Sequence, residues 1–252
     1  MTIITAPKHQ LLKKSTFTFS FIISLFFITA CKNKHQIQAF YLDNNFIGIR
    51  EGKSIKFYET KDHKTWGYSS HKNFNSPDNV DDVLYFGSSF IGIRTDKTVK
   101  FYRTNREGVW SYSTGKDFLS PEGIDAVFYF NGNSMAVCHG KSIKFYETNK
   151  QATWNYRPEI DFTNQNNIDG AFCPHSNFIG VREGRTVKFY VYTNQGNWLY
   201  RNGIDFVCPT EVDDMFYLNT GSIGVLKGRT IKFYSVNKDD QWTYNSGDDF
   251  NF

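Results

Sequence analysis

An aspartate stands at Asp81, Asp125, Asp169 and Asp213, and a tryptophan at Trp66, Trp110, Trp154, Trp198 and Trp242. A carboxylate accepts hydrogen bonds from hydroxyl groups, and an indole offers a flat apolar face. Together they can hold a small hydroxylated ligand without any covalent step. A second aspartate series, Asp117, Asp161, Asp205 and Asp249, precedes a phenylalanine each time, with Asn73 at its place in the first copy. A lysine recurs at Lys56, Lys100, Lys144, Lys188 and Lys232. Each series also has a structural use. Loop aspartates cap turns, tryptophans fill cores, and lysines pair with carboxylates or carry their heads to water. Catalytic chemistry has less support. The histidines at 9, 35, 63, 71, 139 and 175 share no repeat position. The chain has no HExxH, no nucleophile elbow and no phosphate-cradling glycine loop. No catalytic residue, metal ligand or cofactor is expected, and the chain does not read as an enzyme.

The elements that must position these residues follow from the spacing. Every interval in the lysine and tryptophan series is 44 residues. The copies run 33–76, 77–120, 121–164, 165–208 and 209–252, with no odd capping copy, which predicts a ring closed head to tail. In the third copy, Asp125 to Phe130, Ser134 to Cys138, Ser142 to Thr148 and Thr153 to Tyr156 read as strands. They are rich in β-branched and aromatic residues and broken by Asn and Gly turns. Arg157 to Ile168 reads as a longer loop. Four short antiparallel strands per copy make one blade, so the chain is expected to be all-β, a five-bladed β-propeller spanning 37–252. Gly48, Gly92, Ala136, Gly180 and Gly224 occupy one position in the second strand. A small residue there implies close approach, which points to that strand as the one nearest the axis. A stacked solenoid is the rival, and it would leave open sheet edges.

Residues 1–30 read as a leader. Lys8, Lys13 and Lys14 precede an apolar run of 14 residues from Phe17 to Ala30. That is shorter than the roughly 18–20 residues of a membrane-spanning helix, and it fits a signal peptide. Ile28-Thr29-Ala30-Cys31 resembles the lipobox of bacterial lipoproteins, which implies cleavage before Cys31 and lipid on its thiol. Residues 31–36 would then be a short tether holding the body near a membrane. The expected location is the bacterial cell envelope, the outer membrane in a Gram-negative cell. Removing the three leader lysines from 29 basic side chains leaves 26 against 25 acidic ones. No basic field remains to attract nucleic acid. Cys138, Cys173 and Cys208 hold different repeat positions, and an odd number allows at most one bridge and one free thiol.

The succession Phe128-Tyr129-Phe130, a turn, Ala136-Val137, Lys144-Phe145-Tyr146 and Trp154 resembles the tachylectin type of five-bladed propeller lectin. The resemblance extends over all five copies. It implies N-acetylated sugars bound one per blade between neighbouring blades, with multivalent glycans as partners of a monomer. The family's Gly-Gly-Trp-Asp signature corresponds here to Glu122-Gly123-Ile124-Asp125, and Val80, Ile124, Ile168 and Val212 replace its tryptophan. In such a site the tryptophan series would supply the flat surface, and Asp81, Asp125, Asp169 and Asp213 the polar contacts. The alternative is an envelope scaffold that binds protein partners on one flat face.

Overall fold

The computed structural model describes residues 37–43, 46–62, 65–86, 90–175, 177–218 and 221–252. The leader, Cys31 and the tether lie outside the described residues. Each repeat folds into its own antiparallel sheet, and the five sheets form a five-bladed β-propeller. The third sheet is representative. Its strands Ala126–Asn131, Ser134–His139, Ser142–Thr148 and Trp154–Tyr156 lie side by side in chain order. These bounds fall within one residue of those read from the sequence. The loop expected over 157–168 contains a single 3-10 turn, Pro158–Ile160, and one further strand. Phe162–Thr163 pairs with Ser142 and Ile143 on the third strand. Two residues carry no alternation to detect, but Phe162 is buried in the seam. Each of the other sheets has the same two-residue strand.

The first strand of each sheet, and not the second, lines the axis. The strands Ile37–Asp43, Asp82–Tyr85, Ala126–Asn131, Gly170–His175 and Asp214–Leu218 each lie beside the first strand of both neighbouring sheets. The fifth meets the first, so the ring closes. The glycine series has another cause. Gly48 sits opposite Phe40 on the first strand, and a Cβ at Gly48 would stand 2.2 Å from the Phe40 ring. The same atom would meet Leu84 at Gly92, Phe172 at Gly180 and Phe216 at Gly224, each at 2.3–2.4 Å. The small residue makes room for a cross-strand side chain folded over it.

The core is divided among five seams, one between each pair of sheets. Successive residues on a strand point to opposite faces, so each sheet feeds two seams. Phe145 faces the fourth sheet and Tyr146 the second. Phe57, Phe145 and Phe189 are fully buried, each stabilising its seam by roughly 1.5–3 kcal/mol. At the closing seam, Ile47 and Ile49 pack with Phe216, Leu226 and Phe233. Cys138, Cys173 and Cys208 are free thiols, and the bridge the count allowed does not form among them.

Candidate functional site

The first aspartate series pins turns. One carboxylate oxygen of Asp81, Asp125, Asp169 and Asp213 accepts from the backbone N–H of Asp96, Gly140, Gly184 and Gly228 respectively, each at 2.7 Å. Those four residues lie in the turn between second and third strands, with φ of 53–60°. Glycine suits that left-handed geometry. The aspartate ties the turn to the start of the inner strand. Further contacts run to charged neighbours: Asp125 lies 3.5 Å from His139 Nδ1, and Asp213 lies 3.2 Å from Lys227 Nζ.

The tryptophan series staples sheets together. Trp110, Trp154, Trp198 and Trp242 stack on Phe57, Phe101, Phe145 and Phe189 of the preceding sheet, with centroids 5.6–6.0 Å apart and planes within 22°. Their Nε1 atoms donate to carbonyls of the same preceding sheet, those of Lys72, Lys116, Ile160 and Ile204, at 2.7–2.9 Å. Trp66 stacks on Phe233 across the closing seam, but its Nε1 is buried without an acceptor among the described residues.

These two series do not meet. Trp154 pairs with Thr148, the last residue of the third strand, whereas the turn that Asp125 holds precedes Ser142, its first. The tryptophans and the first aspartates therefore occupy opposite ends of each sheet.

A different constellation does recur as a unit. Tyr68, Tyr112, Tyr156, Tyr200 and Tyr244 on the fourth strands are 42–54% exposed, large for aromatic residues in so tightly packed a fold. Each rests against a third-strand tyrosine, with centroids 5.3–5.6 Å apart. The hydroxyls of Tyr112, Tyr156, Tyr200 and Tyr244 donate to Asp117, Asp161, Asp205 and Asp249, the second aspartate series. In the first sheet, Asn73 Nδ2 donates to the Tyr68 hydroxyl oxygen. The hydrogen bond to carboxylate holds the phenols of Tyr156, Tyr200 and Tyr244 up at about 12. Burial raises the pKa of Asp161, against the opposing pull of the Tyr156 hydroxyl.

The recurrent lysines complete this cluster. Lys144 and Lys232 place their ammonium groups 5.7 and 5.3 Å from the Tyr156 and Tyr244 ring centroids. Lys56, Lys100, Lys144 and Lys188 pair with Glu51, Asp78, Glu122 and Glu183 at 2.5–3.1 Å, and hydrogen bonds to those acids raise their pKa values. Lys232 has no carboxylate partner among the described residues. Thr210 and Lys227 stand where Glu122 and Glu183 stand in the third and fourth repeats. An exposed ring and a carboxylate thus recur together at the outer edge of four sheets, with an amide for the carboxylate in the first, and an ammonium lies over the ring in the third and fifth. The sequence held the signal in its Trp-x-Tyr pairs. Residues two apart on a strand share a face, so the exposed tyrosine accompanies every seam tryptophan.

The axis carries polar groups of its own. Gln38, Asp82, Ala126, Gly170 and Asp214 occupy one position on the inner strands. Gln38 Oε1 accepts from Val83 N at 3.0 Å, and Asp82 Oδ2 from Val127 N at 3.0 Å, so each reaches the next sheet. Asp214 accepts from Met215 N at 2.8 Å and from Ala39 N across the closing seam. Burial pushes its pKa up to about 6, against the pull of Arg182 and with the repulsion of Asp82. A carboxyl with a raised folded value confers full stability below its unfolded value near 4, and stability falls as pH rises through 6. Asp214→Asn is therefore expected to stabilise the fold by about 1–3 kcal/mol at pH 7. The gain should vanish near pH 4, which urea melts at both values would measure. Among the described residues, no three His, Cys, Asp or Glu side chains converge to hold a metal ion.

Comparison with known proteins adds fold likeness only. No family model and no curated protein matches the chain. One similar solved structure is the crystal structure of a functionally unknown protein from Desulfotomaculum acetoxidans DSM 771. The match has a TM-score of 0.49 and 12% identity, covering 85% of this chain and 69% of that one. A likeness at that level carries no functional argument.

Proposed function

We propose that this chain is a lipid-anchored carbohydrate-binding propeller whose sugar sites lie at the outer edge of its sheets. The observation that carries the reading is the recurrence, sheet after sheet, of an exposed tyrosine beside an Asp or Asn, with a Lys over the ring in the third and fifth sheets. A pyranose stacks its C–H face on an aromatic ring and needs a few fixed polar groups for its hydroxyls. Here the ring is that of Tyr68, Tyr112, Tyr156, Tyr200 or Tyr244. The second aspartate series supplies acceptor oxygens, and the lysine series supplies donors. The resemblance to tachylectin-type lectins favours N-acetylated sugars. Trp66 and its equivalents serve the seams in this reading, and Asp81 and its equivalents serve the turns.

A glycan array probed with the chain beginning after Cys31 tests the proposal. Saturable binding to at least one sugar class is expected. Absence of binding to every sugar, with a native circular dichroism spectrum, would remove the idea. The anchor is tested separately. A clickable fatty-acid analogue should label the parent chain in bacteria and fail to label Cys31→Ser. A single acyl chain anchors weakly, so stable attachment requires more than one.

A further inference from the structure

The seam between the fourth and fifth sheets departs from the repeat. It holds a cavity of about 320 Å³. Near the end of the inner strand, the second and third repeats carry Phe86 and Phe130. Phe86 packs on Phe101 and Trp154, and Phe130 packs on Phe145 and Trp198. The fourth repeat has Pro174 at that position, whose short ring cannot reach as far. Phe178 compensates only in part. It lies nearly parallel to Phe189, 5.3 Å away at 10°, and Phe189 is in turn stacked on Trp242 at 6.0 Å and 13°. With Tyr217, these rings wall the space that a phenylalanine fills in the seams after the second and third sheets.

The lining also departs from the repeat in its charged residues. Arg201 and Asp240 line the cavity, one from each sheet, 3.8 Å apart and about half exposed. Asp240 has φ 59°, at a position where the third repeat has Ala152 at φ 60° and the second and fourth have Gly108 and Gly196 at φ 81°, so the fifth repeat alone among these places a carboxylate there. Arg157, the counterpart of Arg201 in the third sheet, turns instead to Glu147 and Glu159 of its own sheet.

We propose that this cavity is a binding site for one small aromatic compound, of one or two fused rings, whose polar substituent meets Arg201 and Asp240. The walls favour a flat apolar body. A dry apolar cavity of about 150 Å³ already accommodates benzene, so the space here has room for a second ring or a substituent. The site is single, because Pro174 occurs once in the repeat, and it is independent of the sugar-binding reading.

The test uses the detergent-solubilised full chain with 2-naphthol and naphthalene as probes, followed by ligand-observed NMR. One molecule of 2-naphthol per chain, bound saturably, is expected. Pro174→Phe installs the residue of the second and third repeats and should weaken 2-naphthol at least tenfold with the thermal midpoint retained. Asp240→Gly installs the residue of two other repeats. It should weaken 2-naphthol and leave naphthalene unchanged, which gives a readout even if Pro174→Phe fails to fold. The proposal is overturned by equal binding in Pro174→Phe, by five molecules per chain, or by no saturation with the parent. Displacement of 2-naphthol by N-acetylglucosamine would overturn it as well, since the cavity would then be a sugar site.

Discussion

Replacing Trp154 by alanine should destabilise the chain by about 3 kcal/mol, the low end of the usual cost for a large aromatic residue in a core. Trp154 is half-buried, which keeps the value from running higher. Its indole lies 5.6 Å from Phe101 at 22° and meets the edges of Phe86 and Phe118 at 5.9 and 5.8 Å. All three belong to the second sheet, so the loss opens the seam and not one sheet. The Lys116 carbonyl also loses its donor. Trp154→Phe isolates that bond and should cost about 1 kcal/mol more than Trp66→Phe. At the closing seam the Trp66 Nε1 is buried without an acceptor, so its removal relieves a desolvated donor. Urea midpoints with unchanged slopes would measure both differences. A fully stable Trp154→Ala chain that no longer binds sugar would return the tryptophans to the ligand site.

The repeat made the architecture legible because it is a statement about spacing, and spacing survives without coordinates. Ser142 to Thr148 needed no correction, since alternation over seven residues fixes a strand. Which strand faces the axis was not legible. The glycine at 48, 92, 180 and 224 signals close approach, but only the register reveals that the approaching group is Phe40, Leu84, Phe172 or Phe216. The division of labour between the two aspartate series was hidden for a similar reason. Asp125 reaches a turn fifteen residues on, while Asp161 reaches back five residues to an exposed ring. In sequence both stand in or beside the long loop between repeats. The cavity at the fourth seam has no signature in the repeat itself, because Pro174 matters through failing to match Phe86 and Phe130.

The strongest binding effect should come from removing the exposed rings together. Five weak sites on one rigid body act through effective concentration, and such linkage raises apparent affinity by about 10²–10⁴. Changing Tyr112, Tyr156, Tyr200 and Tyr244 to alanine should therefore lose on the order of 10²–10⁴ in binding to a polyvalent glycan. Surface plasmon resonance on a dense glycan surface would read the loss. Any one of these changes alone should cost far less, because the remaining sites still bridge. The first sheet gives the sharper control. Tyr112 and its three equivalents are hydrogen-bonded to a carboxylate, whereas Tyr68 is hydrogen-bonded to the neutral amide of Asn73. A sugar that offers its hydroxyl as donor to the four carboxylate sites meets a different pattern at Tyr68. Calorimetry with a monovalent sugar should accordingly give four equivalent sites, and Asn73→Asp should bring the count to five. Five equal sites in the parent chain would show that the carboxylate plays no part in recognition, and the tyrosine ring alone would then have to account for it.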